Sequence, residues 1–455
     1  MINLENSEVI SITLKILDEH ALCDNCLGRQ FAWLGTGTSN AFRGYSLKLT
    51  LTIMADEQIK SGDKELGKAI VKRVAGFGMF EPAKLLAEQY SVDYDSDTSC
   101  FLCAFDGISV FEKIPMIANR MIGLSRDFEF STFLVGSVPI PVLAERQDEL
   151  SAKYSILYSE TLKSHINREQ GIYMQKVLEK EVDFEKPDVV FVYAMEQDEI
   201  RVQINPIFIY GRYNKLVRGI PQSRWDCKKC KGKGCKDCGG TGRKYPDSIS
   251  EYVGVPAQLL VDGSKFKFHA AGREDIDVLM LGDGRPFVIE ISEPRMRTLD
   301  LDQLAIDIND NANGKIEVHG LEMADRLTLQ KLKETAANNV KEYRALITTQ
   351  EIVSDKMLKK AEKSFKNIDI EQRTPIRVSH RRSDLVRKKR IHEVKLRKQD
   401  DGFIEGFFKV QGGTYIKELI SGDEGRTVPS IAQMLDTPCV CKELNVTAIY
   451  SEGRK

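Results

Sequence analysis

An α+β protein with more than one hydrophobic core is what this sequence predicts, and three observations carry the prediction. Helical periodicity dominates the first hundred residues and then gives way to short β-rich runs around a long helix, followed by mixed hairpins and helices. The length of 455 residues suits about three domains. Eight of the ten cysteines fall in four Cys-x-x-Cys pairs, a spacing that in a reducing compartment marks metal sites rather than disulfides. Hydrophobic residues at 42%, charged residues at 29% and a mean hydropathy of -0.30 exclude a wholly disordered or fibrous chain. The most apolar stretches, Ser131 to Ala144 and Val189 to Met195, are short or broken by Pro and Gly, so no membrane span is expected. The opening MINLENSEVI lacks a basic n-region and an h-region, so no secretory signal is expected and a cytoplasmic location is.

From Glu8 to Ala21, apolar residues at Val9, Ile10, Leu14, Leu17 and Ala21 recur at helical spacing and lead into Cys23 and Cys26. Glu65 to Phe77 and Pro82 to Tyr90 read as helices, and Cys100 and Cys103 form a second knuckle among strand-like residues. Beyond Asp106 come a β-rich run from Phe128 to Val142, a long helix from about Ala152 to Lys180, and runs at Asp188 to Met195 and Ile200 to Tyr210. Gly211 to Trp225 carries Arg212, Lys215, Arg218 and Arg224 with Tyr213 and Trp225 and no acid. Basic residues interleaved with aromatics suit RNA backbone neutralisation and base stacking, although a solvated loop is the commoner reading of one such stretch. Past Tyr245, Asp277 to Leu281 and Arg285 to Ile291 flank Gly282-Asp-Gly284, which predicts a hairpin.

Cys-x-x-Cys sets two thiolates at the tip of a tight turn, and two such knuckles close a tetrahedral structural zinc site with no open position for substrate. Sequence order groups Cys23, Cys26, Cys100 and Cys103 as one set and Cys227, Cys230, Cys235 and Cys238 as another. The first set is expected to hold zinc. For the second, with four residues between its knuckles and two tandem Cys-x-x-Cys-x-Gly-x-Gly copies, metal binding and a metal-free linker both stay open. Those copies resemble the zinc repeats of DnaJ-type chaperones, but no J-domain His-Pro-Asp occurs in the chain. Cys439 and Cys441 read as core residues on one strand face.

The net charge of -1 conceals an uneven distribution. Between Glu371 and Asp400, eleven Lys or Arg stand against four acids, a local balance of +7, with Lys395 and Arg397 alternating with Val394 and Leu396. A solvated face is the default for a charge run; this density suits an RNA backbone.

Three segments point to chemistry: Gly272-Arg-Glu-Asp-Ile-Asp277, Lys341-Glu-Tyr343-Arg-Ala-Leu346 and Gly413-Thr-Tyr-Ile-Lys-Glu-Leu-Ile420. In that order they resemble the Asp, Tyr and basic-residue motifs of pseudouridine synthases. The chain most resembles the archaeal-type tRNA pseudouridine synthases that carry an N-terminal THUMP domain and act on T-loop uridines 54 and 55. The resemblance covers nearly the whole chain, including the first Cys-x-x-Cys, Gly211 to Trp225 and Thr374 to Arg382. It implies a zinc-held, THUMP-containing N-terminal region and a C-terminal catalytic domain with a mixed or antiparallel sheet. The expected limits are 1–57 for a helical zinc-knuckle segment, 58–206 for THUMP, 207–244 for a basic and Cys-rich connector, and 245–455 for the catalytic domain.

The family reaction breaks the N1–C1′ bond of a uridine, turns the uracil and forms a C5–C1′ bond, with no catalytic cofactor. By resemblance, Asp275 is the catalytic carboxylate, as nucleophile at the sugar or base on the ribose. Asp277, on the same face if this segment is a strand, is a structural acid. Tyr343 stacks on the target uracil and assists proton removal at C5, Tyr415 and Arg273 contact substrate, and Leu444 supplies an apolar wall. Lys417 pairs with Asp275 and lowers its pKa, as a point charge where related enzymes often have the bidentate fork of Arg. The partner implied is tRNA, held at its T-loop or elbow and at its acceptor end, with the target base unstacked; no protein partner is implied. The competing reading is a non-catalytic tRNA-binding or RNA-chaperone protein built from the same modules. A THUMP-linked methyltransferase or thiolation enzyme is weakened by the want of a Gly-rich cofactor loop after a strand or a P-loop.

Overall fold

The computed structural model describes residues 7–335 and 339–450. The chain divides between Asn205 and Pro206 into two units, each with its own core. Among the described residues no helix is long and apolar enough to cross a membrane.

The first unit opens with helices Glu8–Ile16, Asp24–Arg29, Asn40–Ser61, Lys64–Phe77 and Glu81–Gln89. The 22-residue helix Asn40–Ser61 begins where the Ser39 hydroxyl accepts the Phe42 N–H at 3.1 Å and ends at Gly62, whose φ of 111° only glycine takes readily. Helix Asp24–Arg29 lies against it at backbone contact: a Cβ on Gly28 would collide with the Asn40 carbonyl, and one on Gly44 with that of Asp24. Ile16, Leu17, Leu27, Leu51 and Val74 fill the core together with Cys26, Cys100 and Cys103. A four-stranded sheet follows, in the order Glu181–Val182, Thr132–Val138, Val189–Ala194, Glu199–Ile204, the first three parallel and the last antiparallel. Helices Ile114–Leu124 and Leu162–Leu178 accompany it, and Met121, Met174, Phe133 and Phe191 form its core.

Several expectations change here. The single helix from Ala152 to Lys180 is two, Pro141–Lys153 and Leu162–Leu178, because Ser155 takes a φ of 51° and the Thr161 hydroxyl caps a new start by accepting the Ser164 N–H at 3.1 Å. The first helix stops at Ile16, and the β-rich run from Phe128 to Val142 is a strand, Thr132–Val138, running into the helix that starts at Pro141. The helices of residues 64–89 pack into the cysteine-containing core, so packing does not break at residue 57.

The second unit is built on a ten-stranded sheet. Across it lie Ile316–Ala324, Ile207–Lys215, Leu279–Ser292, Cys439–Tyr450, Val340–Thr349, Ile404–Gln411, Val386–Lys398, Ile368–Arg373 and Thr427–Val428, with Lys265–Ala270 paired to Leu279–Ser292 off this path. All pairings are antiparallel except a short parallel one, Asn445 and Val446 against Leu279 and Met280. Tyr213, Phe287, Ile347, Phe408 and Val410 are among its core residues, Cys439 is buried with them, and Cys441 packs on their edge.

Two further corrections follow. Residues 207–215 are not part of a connector: they form a strand inside this sheet, with Tyr213 and Lys215 fully buried. Gly282-Asp-Gly284 makes no hairpin, since Leu279–Ser292 is one strand of 14 residues. It leaves its parallel partner at Met280, where it also pairs with Lys215, and resumes its antiparallel pairing with Ile207–Lys215 at Arg285. Gly282 (φ 60°) and Gly284 (φ 71°) make the bend between these pairings. A Cβ on Gly282 would collide with the Thr447 carbonyl, and one on Gly284 would lie 2.7 Å from that of Tyr213, so the glycines admit neighbouring strands rather than a chain reversal.

Candidate active site

The loop after strand Lys265–Ala270 alternates inward and outward. Glu274 is buried, its carboxylate paired with Arg285 at 2.8 Å and accepting the Tyr213 hydroxyl at 2.9 and 3.0 Å. Gln222 donates to the Tyr213 oxygen at 2.9 Å and to the Gly272 carbonyl at 3.0 Å. The buried Lys215 ammonium donates to the carbonyls of Asp275 at 3.2 Å and Ile276 at 2.7 Å. Burial pulls this lysine down to about 8. Anchored this way, the loop presents Arg273 and Asp275 to a cavity of about 660 Å³, a volume suited to a small organic group. Asp275 lies in this loop, so the strand-face relation expected for Asp275 and Asp277 does not apply.

Asp275 Oδ2 is 2.8 Å from Arg377 Nη1 and 3.8 Å from Lys417 Nζ. Lys417 makes its shorter contact, 2.7 Å, with Asp277. The nearest cation to Asp275 is therefore Arg377, and Lys417, expected to pair with Asp275, lies within ion-pair distance of it but closer to Asp277. Burial raises Asp277, but the Lys417 hydrogen bond and charge outweigh it and hold that carboxyl below its usual range. Arg377 Nε donates to the buried Glu418 at 2.6 Å. Burial works against the Arg377 charge, and Glu418 and Asp275 more than offset it, so the guanidinium is held protonated.

The other expected residues line the same cavity: Arg273, Tyr343, Tyr415, Lys417 and Leu444. Tyr343 sits mid-strand opposite Val446 and Phe408, and the period of two brings Lys341 to the same side. Burial pushes the Tyr343 phenol up to about 12. Leu444, on the neighbouring strand, is buried against the core and forms wall. Tyr415 caps the short helix Ile416–Ser421, fixed by Gln372 on its N–H and carbonyl at 2.9 Å each, and its hydroxyl accepts from Arg382 at 3.1 Å.

Sequence reasoning did not single out Arg377, Lys341 or Trp225 as lining residues. Arg377 lay in the quoted Thr374 to Arg382 stretch, but its partner is a hundred residues away in sequence. The basic segment around Gly211 has another use: Arg212 bonds the carbonyls of Asp283 and Gly284, and Arg218 those of Asp277 and Leu444 together with Glu443 and Asn445. These cations bind this chain's own backbone.

Residues 208–450 match the family description "Pus10, C-terminal", and residues 117–194 match "Pus10 THUMP domain, archaeal". The chain belongs to the Pus10 family. A relative from Methanocaldococcus jannaschii named tRNA pseudouridine synthase Pus10 is 41% identical, with 100% of this chain and 99% of that protein covered. Namesakes from Methanothrix thermoacetophila and Halorubrum lacusprofundi are 39% and 36% identical over 97% and 98% of this chain, and 94% and 97% of their own lengths. A chain from the crystal structure of a Cbf5-Nop10-Gar1 complex aligns over 44% of this chain and 45% of its own, at 18% identity and a TM-score of 0.27. As a Pus10-family member the protein is an isomerase of the pseudouridine synthase class. The THUMP match lies on the four-stranded sheet of the first unit and begins well beyond residue 58.

This Pus10-family chain also has two four-cysteine clusters, each with sulfurs within 4.8 Å of one another, grouped as their sequence order suggests. Sulfur separations of 3.6 to 3.9 Å are close to the edge of about 3.8 Å for a tetrahedron with Zn–S near 2.3 Å. Backbone N–H groups of Cys23, Gly234, Cys235 and Gly242 point at sulfurs at 3.2 to 3.3 Å, as thiolates require. Burial drives the Cys26 thiol well above its usual range, so a thiolate there needs a compensating cation. Both clusters fit a tetrahedral structural ion such as zinc.

Proposed function

We propose that this Pus10-family chain isomerises uridine to pseudouridine in the T-loop of tRNA, at position 54, 55 or both, with Asp275 as the catalytic carboxylate. One observation carries the reading: a half-buried aspartate faces a guanidinium at 2.8 Å and an ammonium at 3.8 Å, in a cavity walled by a tyrosine and a leucine. Both attack at C1′ and proton abstraction from the ribose call for a carboxylate, and two cations lie within ion-pair distance of this one. The N1–C1′ bond breaks, the freed uracil turns and bonds C1′ through C5, and the proton lost from C5 is balanced by one gained at N1, so no group donor or oxidant is needed. At neutral pH a phenol raised to about 12 stays protonated, so Tyr343 offers a stacking face and an O–H donor rather than a phenolate base. Leu444, on the adjacent strand, adds apolar wall beside Tyr343, while Arg273 and Tyr415 meet the ribose-phosphate backbone. Unstacking the target base requires the rest of the tRNA to be held, for which the THUMP domain suits the acceptor end. Zinc in both clusters is structural, and a cytoplasmic location accords with the substrate.

The experiment is pseudouridine mapping in unmodified tRNA exposed to wild type and Asp275→Ala. Wild type forms pseudouridine without added cofactor, and the variant binds tRNA but forms none. Full activity in Asp275→Ala overturns the assignment, and new pseudouridine outside the T-loop overturns its position.

A further inference from the structure

We propose that Trp225 is a stacking platform for a nucleobase neighbouring the one in the cavity, and that the Cys227–Cys238 cluster exists to hold that platform at the cavity mouth. The proposal rests on the RNA reading above and adds to it a contact residue and a purpose for the second cluster.

Trp225 lines the Asp275 cavity and is half-buried. Its indole meets Tyr245 edge-on at 5.6 Å, with the Lys244 ammonium 5.3 Å and the Arg273 guanidinium 5.4 Å from the ring. An aromatic ring with two cations beside it matches one nucleotide step, a π-face with phosphates on either side. Arg273 is exposed and bound to the ring only by its cation–π contact. A nucleobase can take its place on the indole because base stacking is worth more than an exposed cation–π contact. The released guanidinium is then free to meet a phosphate, two residues from Asp275.

What fixes the indole is a narrow neck. Lys244 N–H donates to the Trp225 carbonyl at 2.9 Å, Asp226 bridges Arg243, and Cys227 N–H donates to the Gly242 carbonyl at 2.8 Å. Beyond the neck the chain turns through the four cysteines and returns. Between Ile220 and Ile249 no hydrophobic side chain is buried, so this loop has no apolar core to set its shape. Its order comes from close backbone contact, such as Gly234 against the Gly240 carbonyl, and from N–H groups of Gly234, Cys235 and Gly242 aimed at sulfur. Four thiolates joined through one ion close both legs of the neck. Such an ion would tie the knuckle of Cys227 and Cys230 to that of Cys235 and Cys238 and so hold Trp225 and Lys244 in register.

Trp33 and Trp225 are the two tryptophans of the chain, and Trp33 lies in the other unit. In Trp33→Phe, emission therefore reports Trp225 alone. Titration with an unmodified tRNA transcript should quench it along the same curve as binding measured by filter retention. Adding Cys235→Ser should lower zinc content and shift the free protein's emission to the red. It should also remove most of the quench while tRNA is still bound, which a merely structural role for the loop would not produce. Trp225→Ala should raise the KM for tRNA about tenfold with kcat changed less, and Trp225→Phe should recover most of the loss. Binding of tRNA with Trp225 emission unchanged, or an unaltered KM in Trp225→Ala, overturns the platform. Full quenching in Cys235→Ser overturns the role of the cluster. Quenching by tRNA with no pseudouridine formed sinks the isomerase assignment and leaves the platform standing.

Discussion

Lys341 is 5% exposed and lines the cavity, and among the described residues no carboxylate lies within ion-pair distance of it. Burial, with the Arg285 charge next and Lys389 adding to it, pulls its amine down to about 7 against the opposing pull of Glu274. The sign of the linkage follows. Below pH 7 the folded protein carries a buried ammonium, whereas between 7 and 10.5 the unfolded chain holds a proton that the folded one has released, so stability rises with pH across that window. Lys341→Met should therefore raise stability in urea unfolding by about 2 kcal/mol at pH 6. The gain should shrink toward zero by pH 10, and an equal gain at both pH values would contradict this. At this scale the sequence was legible where a side chain sits inside a compact motif, as Asp275 and Tyr343 do. It was not legible where a partner arrives from another element. Arg377 comes to Asp275 from a 3-10 turn, and only its buried anchor Glu418 fixes the guanidinium there. Lys417, read from its motif as the partner, is drawn toward Asp277.

Helices with a strong apolar stripe, such as Lys64–Phe77, were readable to within a residue. The 22-residue helix Asn40–Ser61 went unread, because its buried face includes Asn40, Gly44, Lys48 and Thr52 where a stripe would show aliphatics. Gly282-Asp-Gly284 shows the limit of turn chemistry: two left-handed glycines fit a hairpin or a bent strand, and only the neighbours decide. Gly282→Ala meets both the unfavourable φ of 60° and the Thr447 carbonyl, so it should destabilise the protein by about 3 kcal/mol and lower its melting temperature. Gly320→Ala is the matched control. It has the same φ of 60° and open space around the new Cβ, so its cost is the backbone strain alone, about 1 kcal/mol. Equal losses in thermal melts would mean that the close approach of strands at Gly282 is not what the glycine serves.

The near-zero net charge was a poor guide to the whole molecule, since the basic run of residues 371–400 delivers Arg377, Arg382 and Lys389 to one cavity while acids elsewhere cancel it in the sum. The cysteine pattern was a better guide, because sequence order favoured the two sets whose sulfurs come together; it could not show how differently the two are buried. Cys26, Cys100 and Cys103 are in the core of the first unit, where the Phe101 N–H bonds the Ala21 carbonyl and the Leu22 N–H that of Phe77. An ion there joins knuckles 77 residues apart, and structural zinc contributes on the order of 10 kcal/mol to a fold that depends on it. The four cysteines of the second cluster are partly exposed and lie outside the core of their unit, so an ion there orders a loop and leaves the ten-stranded sheet alone. Cys100→Ser and Cys235→Ser should each lose one equivalent of zinc, with opposite results in limited proteolysis. The first should open residues 7–205 and leave a resistant fragment starting near Pro206, while the second should be nicked only between residues 227 and 242. Equal resistance of the two variants would mean that the first cluster, despite its burial, is not what holds its unit together.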